Sequence, residues 1–95
     1  MYNLKHLELL NYIIEEYVKF DPIGVVGAIT IPRTEYDLES LKIFLFLAEY
    51  KPNFEKFSEW AENFVSLGIN ANKREQRNFI DNVFNKYIEL GFDSI

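Results

Sequence analysis

One long segment without helical periodicity, over residues 21–37, most constrains how this 95-residue chain can fold. Pro22, Gly24 and Pro32 bracket a β-branched run from Val25 to Ile31, and Gly27 lies within that run. Connections in compact domains are usually about 4–6 residues long, and longer ones tend to be functional or disordered. Because this segment is too apolar for disorder, we expect one long ordered loop packed across a helical domain. A single short extended piece within it is the alternative.

The remainder of the chain predicts four helices, over residues 3–20, 38–50, 54–67 and 71–90. Asn3, Asp37 and Asn53 are the predicted N-caps, because short polar side chains accept hydrogen bonds from the first free backbone N–H groups. Prolines and glycines mark the helix ends, at Pro22, Pro52, Gly68 and Gly91. We therefore expect an all-α fold with a single helical domain over residues 1–95, whose last four residues fray.

Apolar residues at helical spacing predict the face that each helix buries. In the first helix they are Leu7, Leu10, Ile14 and Tyr17, beside Leu4, Ile13 and Val18. In the second they are Leu38, Leu41, Leu45 and Ala48, with Ile43, Phe44, Phe46 and Leu47 on the other sides. In the third they are Phe54, Phe57, Ala61, Phe64 and Val65, flanked by Trp60; in the fourth, Phe79, Ile80, Val83, Phe84, Tyr87 and Ile88. Since the second helix is apolar nearly all round, we expect it at the buried centre.

Few side chains in this sequence are suited to catalysis or metal binding. The absence of cysteine excludes a disulfide scaffold, a zinc–thiolate site and a thiol nucleophile. His6 is the single histidine, and no Glu-x-x-His pair of the kind found in four-helix metal sites occurs. The acidic strip Glu55, Glu59 and Glu62 has no matching set on a second helix, so a solvated face is its better interpretation. We therefore expect no enzyme activity, no metal and no cofactor.

The net charge of −5 argues against nucleic acid as a partner, since nucleic-acid-binding domains usually carry basic patches. An acidic surface suits a basic protein partner, although acidity for solubility alone is the alternative. The basic stretch Lys73-Arg74-x-x-Arg77 is interpreted as a surface salt-bridge partner. The chain begins without a signal-peptide pattern, and its longest apolar run, from Ile43 to Ala48, is too short to span a membrane. We expect a cytoplasmic protein without membrane contact.

Two elements of the sequence together resemble a known family. They are the turn Phe20-Asp21-Pro22-Ile23-Gly24 and the helix start Glu35-Tyr36-Asp37-x-Glu39. This pattern is similar to that of small helical bacterial proteins that share an aromatic-Asp-Pro-x-Gly turn followed by an acidic-Tyr-Asp helix start, among them the family of unknown function DUF1871. Phe20 stands where the family turn usually has Trp. Similar short proteins include immunity proteins that accompany toxins of the contact-dependent growth inhibition type.

The resemblance implies a helical immunity protein that neutralises a cognate bacterial toxin, commonly a basic nuclease domain, by direct binding. The alternative is a helical module with a regulatory or housekeeping role, which a homodimer would suit. The predicted partner-facing residues combine the acids of residues 35–62 with two aromatic anchors. They are Glu35, Tyr36, Asp37, Glu39, Glu49, Glu55, Glu59, Trp60 and Glu62.

Overall fold

The computed structural model describes residues 3–20, 37–65 and 73–92. These ranges form four α-helices and contain no β-strand: α1 (Leu4–Phe20), α2 (Asp37–Tyr50), α3 (Phe54–Phe64) and α4 (Lys73–Glu89). The predicted all-α fold with four helices is therefore confirmed. The predicted loop up to residue 36 and the predicted cap at Gly68 lie outside the described residues.

Two of the helix starts are capped as the sequence predicts. The side-chain oxygen of Asn3 accepts hydrogen bonds from the backbone N–H groups of Lys5, at 2.9 Å, and His6, at 3.3 Å. The side-chain oxygen of Asn53 accepts one from the backbone N–H of Lys56 at 2.8 Å. Asp37 lies in the first turn of α2, where a carboxylate interacts favourably with the helix dipole. These interactions are local, so they follow from residue spacing alone.

The first helix, α1, lies against both α2 and α4, and α4 lies against α3. The rings of Phe46 and Trp60 also bring α2 into contact with α3. The expectation that α2 forms the buried centre is wrong, because this helix is not covered all round. Part of the apolar surface of α2 faces solvent, and Leu38 is 61% exposed. An apolar helix is central only when neighbours cover every side of it.

The buried face of α1 differs from the predicted one. Its buried residues are Leu9, Ile13, Tyr17 and Phe20. Of the predicted face, Tyr17 is buried and Leu10 is partly buried, whereas Leu7 is 53% exposed and Leu4 is 82% exposed. This helix carries apolar residues on adjacent faces, and the positions of α2 and α4 decide which face becomes the core. Spacing alone cannot make that choice.

The buried face of α2 also differs from the predicted one, since its buried residues are Ser40, Ile43, Phe44 and Leu47. Of the predicted face, Leu45 and Ala48 are partly buried, whereas Leu38 and Leu41 are exposed. In α3, Phe57 and Ala61 are buried as predicted, and Phe54 is 39% exposed. In α4 the predicted residues are buried except Ile88, and Gln76 joins them.

Gln76 connects α4 to the end of α3. Its side-chain amide nitrogen donates to the backbone carbonyl of Val65 at 2.8 Å and faces that of Glu62 at 3.5 Å. These carbonyls belong to the last turn of the helix, where no intrahelical donor is available. A buried polar side chain at this position therefore satisfies backbone groups that an apolar residue would leave unpaired.

The described chain is packed at Phe92, so the prediction of fraying is wrong for that residue, and residues 93–95 lie outside the described residues. Gly91 has a positive φ of 84°, and its backbone N–H donates to the carbonyl of Ile88 at 2.9 Å. This left-handed turn suits glycine and directs the next residue back to the core. Phe92 is 1% exposed and its ring stacks on Tyr87, with centroids 5.8 Å apart.

Candidate protein-binding surface

Four aromatic side chains from α2 and α3 form one continuous stack, which we name the aromatic ladder: Tyr50, Phe46, Trp60 and Phe64. The central pair, Phe46 and Trp60, has centroids 4.2 Å apart and planes only 3° from parallel. Tyr50 lies 5.2 Å from Phe46 at one end, and Phe64 lies 4.8 Å from Trp60 at the other. Each helix contributes two rings four residues apart, so successive turns bring them to the same face.

The ladder is only partly covered by the protein. Phe46, Trp60 and Phe64 are half-buried, and Tyr50 is 74% exposed. Phe46 also contacts the buried ring of Phe57, with centroids 6.5 Å apart, so the ladder is anchored in the core. Rigid aromatic rings that remain accessible are the side chains most enriched among energetically important interface residues.

An open groove of about 540 Å³ runs along the α3 side of the ladder. It is lined by Lys56, Glu59, Trp60, Asn63 and Phe64. Both faces of Trp60 are covered by neighbouring rings, so the edge of its indole is the part that meets the groove. Trp60 is half-buried and lines the groove, and its indole N–H forms no hydrogen bond within the described part of the chain, so this donor can serve a ligand.

The two helices that build the ladder also carry most of the described negative charge. Residues 37–65 contain six acidic and three basic side chains, for a net charge of −3, whereas residues 73–92 contain three acidic and four basic side chains. The ladder is therefore built by the most acidic part of the described chain. Such a surface attracts a positively charged partner and disfavours a negatively charged one.

The structure divides the predicted acidic residues into groups. Glu59 lines the groove beside Trp60. Glu62 instead faces α4, where its carboxylate lies 3.7 Å from the guanidinium of Arg77 and accepts a hydrogen bond from the hydroxyl of Ser58 at 3.2 Å. Glu62 is therefore partly neutralised by the protein itself, and the predicted pairing of the basic stretch with an acid is found at Arg77.

The remaining predicted residues lie elsewhere on α2 and α3. Asp37, Glu49 and Glu55 are exposed. Glu39 is half-buried and its charge acts on Tyr17, whose pKa is raised chiefly by burial of the phenol and further by this carboxylate. Glu35 and Tyr36 lie outside the described residues.

Sequence reasoning named Trp60 but missed Phe46, Tyr50 and Phe64 as parts of the same surface. A signal was present, because aromatic residues recur at a spacing of four in two consecutive helices, at positions 46 and 50 and at positions 60 and 64. The helical patterns predict that Phe46 and Phe64 are buried, because the apolar character of a residue does not show how far its neighbours cover it.

A second concavity of about 410 Å³ lies between α1 and α4 and includes Leu7, Tyr12 and Lys86. The ammonium of Lys86 lies 3.2 Å from the carboxylate of Glu8, 3.0 Å from that of Glu89 and 5.5 Å from the ring centre of Tyr12. Hydrogen bonds to Glu89 and Glu8 raise the pKa of Lys86. This cation is already surrounded by acids of its own chain, which makes the concavity less available to a charged ligand.

The described residues carry neither a candidate metal site nor a candidate membrane span. They contain no group of three histidine or acidic side chains placed to hold a metal ion. None of the helices in the described ranges combines the length and the apolar character needed to cross a membrane. Comparisons of the chain with protein-family models, with curated proteins and with solved structures find no match.

Proposed function

We propose that this chain is a binding protein rather than an enzyme, and that it acts as an immunity protein in the cytoplasm, where it neutralises a toxin domain by direct contact. The observation that carries the binding role is the aromatic ladder, an accessible rigid stack with an open indole N–H, built by the most acidic part of the described chain. The toxin as partner rests on the resemblance of residues 20–39 to small bacterial immunity proteins.

The ladder supports a protein partner for an energetic reason. Stacked rings held by the core are already ordered, so binding does not have to restrict their rotation again. Large rigid aromatic side chains with a polar edge provide both apolar contact and hydrogen bonding. Exposed carboxylates around them accelerate the encounter with a basic surface. A nuclease domain, which binds nucleic acid through basic residues, presents such a surface.

Co-expression with the product of the neighbouring gene tests this function. We expect the chain to protect cells against that product and to co-purify with it, and we expect the association rate to fall as salt increases. Glu59→Lys should weaken protection, because it reverses the charge in the groove. Glu15→Lys, an equal charge change at an exposed position of α1, is the matched control and should protect as the unmodified chain does.

Absence of both protection and co-purification would contradict the immunity role and favour a regulatory or housekeeping module. Equal loss of protection with Glu59→Lys and Glu15→Lys would show that net charge alone determines binding. Protection unaffected by Glu59→Lys would place the toxin on another surface.

A further inference from the structure

The groove beside Trp60 contains polar groups of both kinds. The indole N–H of Trp60 and the ammonium of Lys56 are donors, and the carboxylate of Glu59 is an acceptor. None of these three groups is used within the described part of the chain: Lys56 and Glu59 form no ion pair there, and the indole N–H forms no hydrogen bond. A ligand that fits the groove should therefore offer hydrogen-bond acceptors and a positive charge.

The geometry of the rings restricts how an apolar group of the ligand can bind. Phe46 and Phe64 cover the two faces of the Trp60 indole at 4.2 Å and 4.8 Å, so a flat ligand cannot insert between them. The groove is lined by two of these rings, Trp60 and Phe64, which lie one turn apart on α3. Adjacent aromatic rings along a groove suit a narrow chain with regularly spaced apolar side chains, such as a proline-bearing segment.

The two donors distinguish an extended segment from a helix. In an α-helix the backbone carbonyls bond internally, except in the last turn, so they have little capacity to accept from Trp60 and Lys56. In a polyproline II segment no carbonyl is bonded internally, and every one of them remains available. The donors of this groove therefore match an extended backbone.

Charge identifies the remaining property of the ligand. Glu59 lies in the groove, and residues 37–65 carry a net charge of −3. A guanidinium can form two hydrogen bonds to one carboxylate, which gives both orientation and affinity. An arginine within the segment therefore complements Glu59.

We propose that the partner of this chain docks through an extended, proline-bearing segment, whose carbonyls accept from Trp60 and Lys56 and whose arginine pairs with Glu59. This inference rests on the proposed function and specifies which part of the partner enters the groove. The segment lies along Trp60 and Phe64 on α3, beside Glu59.

Peptide titration tests the inference without the toxin. The probe is a ten-residue peptide of alternating arginine and proline, observed through the single tryptophan of the chain, whose indole N–H gives one NMR signal. We expect a saturable shift of this signal to the frequency of a hydrogen-bonded indole. A glutamate–proline peptide should cause no shift, and a helical peptide of alanine and arginine with equal charge should bind less tightly.

Variants locate the peptide in the groove, with a dye-labelled peptide as the reporter of affinity. Trp60→Phe keeps the stacked ring but removes the donor, and it should lower affinity roughly three- to tenfold, as expected for one hydrogen bond. Glu59→Gln should lower it by roughly tenfold, as expected for a charge-assisted pair. Glu15→Gln, an equal change at an exposed position of α1 outside the groove lining, should leave affinity unchanged.

The outcomes separate this inference from the proposed function. If the helical peptide binds as tightly as the extended one, or if the indole signal does not move, the extended-segment inference is overturned. Protection against the toxin can persist in that case, and the immunity role then stands with another mode of docking. Equal effects of Glu59→Gln and Glu15→Gln would mean that the peptide binds by general charge attraction, and they would also overturn the inference.

Discussion

The indole ring of Trp60 lies parallel to the phenyl ring of Phe46, with planes 3° apart and centroids 4.2 Å apart. A stacked pair of this kind contributes about 0.5–1.5 kcal/mol beyond area burial. A double-mutant cycle with Phe46→Leu and Trp60→Leu should therefore give a coupling energy of that size in urea unfolding. The control pair combines Phe46→Leu with Phe20→Leu, since Phe20 stacks on Phe79 instead. Equal coupling in both cycles would contradict the ladder.

The orientation of α1 is tested by two leucines two residues apart. Leu9 is fully buried, whereas Leu7 is 53% exposed. Leu9→Ala should cost about 2–5 kcal/mol of unfolding free energy, because it leaves a cavity in the core. Leu7→Ala should cost less than about 1 kcal/mol, because much of its side chain already contacts water. Urea denaturation at pH 7 measures both, and a larger loss at Leu7 would mean that α1 is rotated from the orientation described.

Removing the hydrogen bond through which Gln76 connects α4 to α3 should lower the free energy of unfolding. Gln76→Met keeps the size of the side chain but removes the donor to the carbonyl of Val65. A buried acceptor left without its partner costs about 1–3 kcal/mol, and we expect a loss of unfolding free energy in that range. Asn78→Ala, an exposed change in the same helix, should alter it by no more than about 0.5 kcal/mol. Similar values for both would show that the hydrogen bond contributes little.

Ser40 is the opposite case, a buried hydroxyl whose removal should help. Its side chain is fully buried, and its oxygen has no hydrogen-bond partner among residues 3–20, 37–65 and 73–92. Ser40→Ala removes an unsatisfied polar group and should leave stability unchanged or raise it by up to about 1 kcal/mol. Ser58→Ala is the control, because the Ser58 hydroxyl donates to Glu62, and this change should be neutral or slightly destabilising. A clear loss at Ser40 would mean that its hydroxyl has an essential partner.

His6 should make stability depend on pH. Its ring contacts Phe92 and Phe44 edge-on, at 4.8 Å and 6.0 Å, and its Nδ1 accepts from the backbone N–H of Asn3 at 3.0 Å. Its pKa is lowered from 6.5, first by burial and then by the positive charges of the N-terminus and Lys51.

Because the pKa of His6 is lower in the folded state, the unfolded state binds a proton first as the pH falls. The contribution of neutral His6 is therefore complete above about pH 6.5 and is lost as the pH falls through the lowered value. Urea unfolding between pH 7.5 and 5.5 should show a steeper decline for the unmodified chain than for His6→Gln. Equal declines in stability for the two chains would contradict this role of His6. The carboxylates are the same in both chains, so the comparison cancels their effect.

Local patterns in the sequence determined the helices of this protein and two of their starts. Asn3 and Asn53 cap helices because a side-chain oxygen reaches N–H groups only two or three residues away. The aromatic residues of α2 and α3 also lie at the spacing that aligns two rings on one helix face. The ladder, however, requires α2 and α3 to meet, and no local pattern contains that information.

Tertiary structure decided which of the adjacent apolar faces became the core. Leu7 and Leu9 are equally apolar, and only the placement of α2 and α4 around α1 leaves one exposed and buries the other. The same placement gives Gln76 its carbonyl partners, returns Phe92 to the core and separates Glu59, in the groove, from Glu62, beside Arg77. Helix formation depends on neighbours within one or two turns, whereas burial, pairing and accessibility depend on residues distant in the chain.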